Sequence, residues 1–117
     1  MTKSLKDEIN RLHAQVCSGL ADPNRILILY TLADAPHNVS DLATLLEIPQ
    51  PTVSRHLKVL RERNMVNAVR DGQSVYYSLG DERIIQALDL LRSMLADSLE
   101  SQVDLARTVS ETMRSNE

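Results

Sequence analysis

Two groups of side chains stand at spacings that carry chemistry. The first is His13 and Cys17, four residues apart, which on a helix set an imidazole and a thiol on one face. Such a pair offers nitrogen and sulfur to a soft metal ion, and two copies across a dimer axis make a four-coordinate set. Cys17 alone offers redox chemistry, as an oxidised thiol or an intersubunit disulfide. Against both stands the plain reading, with Cys17 a small buried hydrophobe and His13 an ordinary surface or interface residue. Nucleophilic catalysis by the pair needs a pocket and an orienting third group, and the sequence signals neither.

The second group lies between Gln50 and Gln73. Gln pairs with adenine and Arg with guanine through bidentate hydrogen bonds in the major groove of DNA. Gln50, Thr52, Ser54 and Arg55, at the leading end of a helical stretch, are therefore candidates for reading base edges. Lys58, Arg61 and Arg63 follow and suit phosphates or solvent. Arg70 and Gln73, at a hairpin tip, are placed to reach an adjacent groove or the backbone. His56 sits in the same stretch, to pack or to touch backbone, and His37 falls in a Pro-His-Asn loop expected to be exposed. The bland alternative is that these charges only solvate a helix face.

The elements that must position these groups are legible from periodicity. Ser4 to Gly19 reads as a helix, with Leu5, Ile9, Leu12, Val16 and Leu20 at helical spacing. Asp22-Pro23 opens a second, an N-cap carboxylate followed by proline, and its RILILYTLA body is apolar nearly all round, as a buried central helix should be. Ser40 is the expected cap of a third, short helix with Leu42, Leu45 and Leu46 facing inward. Glu47 to Gln50 form a turn, and a fourth helix, PTVSRHLKVLRERN, carries Val53, Leu57 and Leu60 as its apolar stripe. After Asn64 the period drops to two, and Asp71-Gly72 between VNAVR and SVYYSL signals a hairpin. From Asp81 onward there is neither Gly nor Pro, and Ile84, Leu88, Leu91, Leu95, Leu99, Val103, Ala106, Val109 and Met113 run at three-or-four-residue spacing. About 30 helical residues reach roughly 45 Å, more than so small a domain spans, so part of this stripe packs outside the monomer.

Two short helices, a tight turn and a following hairpin make a winged helix-turn-helix, mainly α with a small β-hairpin wing. Composition agrees. The 117 residues are 43% apolar and 25% charged, ordinary for one soluble domain without Trp or Phe. Net charge is −3, yet residues 50–79 hold five basic and two acidic side chains, which concentrates positive charge on the helix-turn-helix and wing. One Cys excludes an intramolecular disulfide and fits a reducing cytoplasm. The N-terminus lacks the apolar run of a secretory signal, and no stretch is long enough to cross a membrane.

The stretches LADPNRILILYTL, VSDLATLLEIPQPTVSRHLKVLRERNMV and VRDGQSVYYSL resemble the ArsR/SmtB family of bacterial winged-helix repressors, over roughly residues 12 to 80. The resemblance implies a cytoplasmic homodimer, joined through its first and last helices, that binds an inverted repeat and releases it when a signal arrives. Asn64 stands where the family usually has Gly, and Asn too accepts the left-handed conformation. The family's metal sites do not carry over. The thiolate pair of its third helix is absent from VSDLATL. The last helix holds Asp81, Glu82, Asp89, Asp97, Glu100, Asp104 and Glu111 but no His, a poor set for zinc. Arsenic(III) needs more thiolates than one Cys provides, and persulfide-sensing relatives have a Cys in the second helix where this chain has Tyr30.

The resulting expectation is one domain, 1–117, with a dimerisation helix (1–20), a helix-turn-helix (39–64), a wing (65–80) and a second dimerisation helix (81–114). The dimer contacts are Leu5, Ile9, Leu12, Val16, Leu88, Leu91, Leu95, Leu99 and Val103. Double-stranded DNA and a second copy are the expected partners, with no cofactor, no membrane and an unnamed effector. A winged-helix protein-interaction module without DNA binding, and a redox-responsive regulator acting through Cys17, are the alternatives.

Overall fold

The computed structural model describes residues 2–115; Met1, Asn116 and Glu117, the outermost residues of the expected domain, lie outside them. The chain forms α1 (Lys3–Leu12), a π-helical turn (His13–Cys17), α2 (Pro23–Asp34), α3 (Val39–Leu46), α4 (Gln50–Glu62), β1 (Val66–Asp71), β2 (Ser74–Leu79) and α5 (Arg83–Ser115). It divides into two compact units, one reaching to Ile85 and the other beginning at Gln86.

In the first unit, α2 starts where Asp22 accepts a hydrogen bond from the Asn24 amide at 2.8 Å, ahead of Pro23 in the first turn. Ile28, Leu29 and Leu32 of α2 meet Leu42 of α3, then Val53, Leu57 and Leu60 of α4, and Met65 and Val66; all nine are buried. The α4 trio recurs at the helical period, which is why one face of α4 is locked inward and the opposite face is presented to solvent. Leu27 and Leu45 depart from the sequence expectation: both are exposed, because the core takes one face of α2 and, from α3, Leu42 with partial burial of Val39, Ala43 and Leu46.

The first helix is shorter than expected. After Leu12 it widens into one π turn, closed by the Ser18 amide donating to the His13 carbonyl at 3.0 Å. The third helix is capped two residues earlier than expected: Asn38, and not Ser40, accepts from the Asp41 amide at 2.8 Å. That helix ends on Glu47 in the left-handed region (φ 56°), and Pro49 then leads into α4, so only three residues separate the pair. At the far end of α4, Asn64 is left-handed (φ 59°), as the sequence anticipated. Its amide donates to the Arg61 carbonyl and the Met65 amide to the Leu60 carbonyl, a paired closure that satisfies two orphan carbonyls and aims the chain into β1.

β1 and β2 pair antiparallel from Val66↔Leu79 to Asp71↔Ser74, leaving Gly72-Gln73 as the two-residue turn. Gly72 has φ +63° while Gln73 does not have positive φ, so the glycine serves at the first central position, the type II′ arrangement. His37 was expected to be exposed. Instead its backbone exchanges two hydrogen bonds with Tyr77, of 3.0 and 2.8 Å, adding a one-rung third strand to the wing. The His37 side chain is 22% exposed, with Nδ1 3.8 Å from Asp41 Oδ2.

The second unit is the greater part of α5, a helix of 33 residues in all. Asp81 precedes it, accepting from the Arg83 amide at 2.9 Å and pairing with the Arg83 guanidinium at 2.6 Å. Leu91, Leu95, Leu99, Val103, Val109 and Met113 are all exposed. With the exposed Ala106 between Val103 and Val109, every step is three or four residues and the average is close to the 3.6-residue pitch of a straight helix, so they form one line along α5. No helix among the described residues is long and apolar enough to cross a membrane.

Candidate nucleic-acid interface

The outer face of α4 carries Gln50, Ser54, Arg55, Lys58 and Arg61, all exposed, with Thr52 half-buried at its start. Arg55 Nη2 donates to Thr52 Oγ1 at 3.3 Å, which draws the guanidinium back along the first turn. A groove of about 510 Å³ separates this face from the wing and is lined by Ser54, Leu57, Lys58, Arg61, Glu62 and Tyr77. At the hairpin tip, Arg70 and Gln73 are exposed, with Arg70 Nε 3.4 Å from the Gly72 carbonyl oxygen. Three cations on one helix face and a fourth on the wing make the arrangement suited to a polyanion.

Two cationic-segment residues do not belong to this face. His56 turns inward, its side chain 12% exposed, with Nδ1 accepting from Arg25 Nη1 at 3.3 Å and Nε2 4.0 Å from Asp22 Oδ1. It is a residue of the helix's inner flank and is withdrawn from the DNA-contact set. Arg63 is half-buried and donates from Nε to Ser18 Oγ at 3.0 Å, so it is engaged within the protein. Arg25 was not singled out from the sequence. A signal existed: a cation in the first turn of a helix opposes the macrodipole and needs a specific partner elsewhere.

Of the residues assigned to a dimer contact, Leu5, Ile9 and Leu12 on α1 are 40–48% exposed and Leu91, Leu95, Leu99 and Val103 on α5 are 54–62% exposed. Val16 and Leu88 differ. Val16 is partly buried against the core of its own unit and Leu88 is only 6% exposed, so both present less apolar surface than the others.

Cys17 is exposed at the end of the π turn, contrary to its plain reading as a buried hydrophobe, and His13 is exposed at the start of that turn. Among the described residues, no three of His, Cys, Asp and Glu come together closely enough to hold a metal ion.

Comparisons with known proteins bear directly on this geometry. The model of the bacterial regulatory protein arsR family matches residues 22–68, from the N-cap of α2 into β1. The nodulation protein NolR of Rhizobium meliloti is 32% identical over 96 residues, covering 82% of this chain and 79% of the relative. The HTH-type transcriptional regulator NmtR of Mycobacterium tuberculosis is 43% identical over 79 residues, 65% of this chain and 66% of that protein. Among solved structures, a homodimeric winged helix-turn-helix DNA-binding domain from Mycobacterium bovis superposes with a TM-score of 0.72 at 26% identity, over 86% of this chain and 92% of that one. The exposed cationic α4, the adjoining wing and these likenesses agree: the chain belongs to the arsR family of bacterial regulatory proteins, DNA-binding transcriptional regulators built on the winged helix-turn-helix.

Proposed function

We propose that this chain is a cytoplasmic repressor that binds an inverted-repeat operator as a homodimer, and that it is not an enzyme. The observation that carries the reading is the solvent face of α4. Gln50, Ser54 and Arg55 lead it, Lys58 and Arg61 follow, and the Arg70 wing tip stands beside it. A helix so lined fits the roughly 12 Å major groove, with its first turn at the base edges and later cations at phosphates. The lines of exposed apolar residues on α1 and α5 supply what a two-fold partner would cover, and the Mycobacterium bovis neighbour is homodimeric. A two-fold pair sets its recognition helices about 34 Å apart, one turn of the duplex.

The test is fluorescence anisotropy on the duplex upstream of the protein's own gene, against a scrambled duplex, at near-physiological salt. Binding at least about a hundredfold tighter to the native sequence supports a specific regulator. Arg55→Ala is expected to lose about 1–3 kcal/mol on the specific duplex and much less on the scrambled one. Equal losses would make Arg55 a phosphate contact. A folded protein that binds neither duplex would be an interaction module. The exposure of Cys17 favours a second reading, regulation by thiol oxidation, and the same titration with peroxide on native protein and Cys17→Ser separates the two.

A further inference from the structure

We propose that Ser18, Arg25, His56 and Arg63 form a clamp that sets the orientation of α4, so that base reading depends on residues that never touch DNA. The proposal rests on the reading that α4 meets the duplex.

His56 and Arg63 are seven residues apart, two helical turns, and so lie on one flank of α4 about 10 Å from each other along its axis. Both are attached to the corner between the first helix and α2. At the first attachment, the Arg25 guanidinium donates three directed bonds: Nε to the Gly19 carbonyl at 2.7 Å, Nη2 to the Ser18 carbonyl at 3.1 Å and Nη1 to His56 Nδ1 at 3.3 Å. Arginine only donates, so Nδ1 accepts and the imidazole proton sits on Nε2, towards Asp22. At the second attachment, Arg63 Nε donates to Ser18 Oγ at 3.0 Å and Arg63 Nη1 to the Val59 carbonyl of its own helix at 3.4 Å. The Ser18 hydroxyl in turn donates to the Ala14 carbonyl inside the π turn.

The apolar stripe of Val53, Leu57 and Leu60 holds α4 against the core but does so without direction, since burial depends on area and not on angle. Two directed attachments two turns apart fix what burial leaves free, the roll and tilt of the helix. Base-edge hydrogen bonds tolerate misplacement of only about 0.5 Å or 10–20°. Arg25 and Arg63 are half-buried and face inward, which separates them from Arg55, Lys58 and Arg61 on the solvent side. The corner follows the π turn directly, so the clamp joins the end of the first helix to the helix that reads DNA.

The test uses the full chain and a duplex selected by the native protein from a randomised pool, with a scrambled duplex of equal length. Ser18→Ala and Arg63→Gln are each expected to lower the ratio of specific to scrambled affinity about three- to tenfold, the net worth of one hydrogen bond. Because the two share one bond, the double variant should lose less than the sum of the two single losses. The slope of log affinity against log salt should stay native, whereas loss of a phosphate contact lowers it by about one. His56→Asn, which keeps an acceptor, should retain more discrimination than His56→Leu. Thermal melts confirm folding, and Ser18→Ala carries the test if Arg63→Gln does not fold. Native discrimination in Ser18→Ala, or a salt slope reduced by about one in Arg63→Gln, overturns the clamp. Arg55→Ala in the same series separates the failures. If it loses discrimination while Ser18→Ala does not, only the clamp falls; if neither loses any, α4 is not the reading helix and both readings fall.

Discussion

Gly80, where the wing returns to the body, is the position at which the smallest addition should do measurable harm. A methyl group there would lie 2.8 Å from the Asn64 carbonyl oxygen, 2.9 Å from the Met65 carbonyl carbon and 3.0 Å from the Met65 oxygen. All three are backbone atoms, and the Gly80 amide donates to that same Met65 oxygen at 2.9 Å, so no rotamer change relieves the clash. Overpacking of this kind costs about 1–3 kcal/mol, and backbone neighbours put the value in the upper half of that range. Against it, alanine restricts the unfolded chain and returns about 0.4–1 kcal/mol, since Gly80 does not need positive φ. The net for Gly80→Ala is a loss of about 1–2.5 kcal/mol, or roughly 4–10 °C in Tm for a domain of this size. Urea unfolding at fixed protein concentration measures it, the fixed concentration removing any contribution from association. Gly72→Ala is the control. It meets nothing within 4 Å but sits at φ +63°, so its loss, about 1 kcal/mol, is conformational and should be partly recovered by Gly72→Asn. A Gly80→Ala protein as stable as the native one would show that Asn64 and Met65 yield easily, and the picture of a rigid wing base would be wrong.

Other substitutions probe the remaining elements. Asn38→Ala should destabilise by about 1 kcal/mol through loss of the cap on α3, while Ser40→Ala, inside the first turn, stays within about 0.5 kcal/mol; the reverse order in urea titrations would restore Ser40 as the cap. Leu99→Lys should give a folded protein that sediments as a monomer at micromolar concentration, and an unchanged dimer would remove α5 from the interface. The Arg83 guanidinium, and then the Arg83 amide, hold the Asp81 carboxyl down from 3.8 to about 2. Its folded value is below its unfolded one, so its contribution is complete above about pH 4 and disappears as pH falls towards 2. Asp81→Ala should therefore differ from the native protein least at the acid end, by a small amount since the pair is solvent-exposed, and a pH-independent difference would contradict this assignment.

Much of the scaffold was legible because its signals are local. Asp22-Pro23 needs only its own neighbours to start α2, and Asn64 needs only its own left-handed tolerance to close α4. The Val53, Leu57 and Leu60 stripe follows from period alone, and it fixed which side of α4 faces out. Local signals also misled where two residues competed for one role. Asn38 and Ser40 are both good caps, and the choice depends on where the chain leaves its pairing with Tyr77. Asp71-Gly72 marked the hairpin correctly but not its register, because the strand pairing takes Asp71 and leaves Gly72-Gln73 to turn. What could not be read were the partnerships across the chain. His56 meets Arg25 from 31 positions away and Arg63 meets Ser18 from 45, and no pattern along the sequence distinguishes such an inward cation from an outward one. The same holds for Leu88 and Val16, whose spacing matches the exposed members of their stripes.

The single rung between His37 and Tyr77 bears on how the molecule assembles and opens. It joins two points some 40 residues apart, and the intervening chain contains α3, α4 and the whole hairpin turn. Closing a flexible loop of that length costs about 3 kcal/mol in entropy, and two backbone hydrogen bonds return only about 1 kcal/mol each. The rung therefore cannot nucleate; it forms once the helices have already brought its ends together, and it is among the first contacts to be released in a local fluctuation. Its two amide protons should exchange with solvent as a pair, ahead of those in the middle of α2, so the segment before α3 can peel from the edge of the wing while Val66 and Leu79 keep the wing seated on the core.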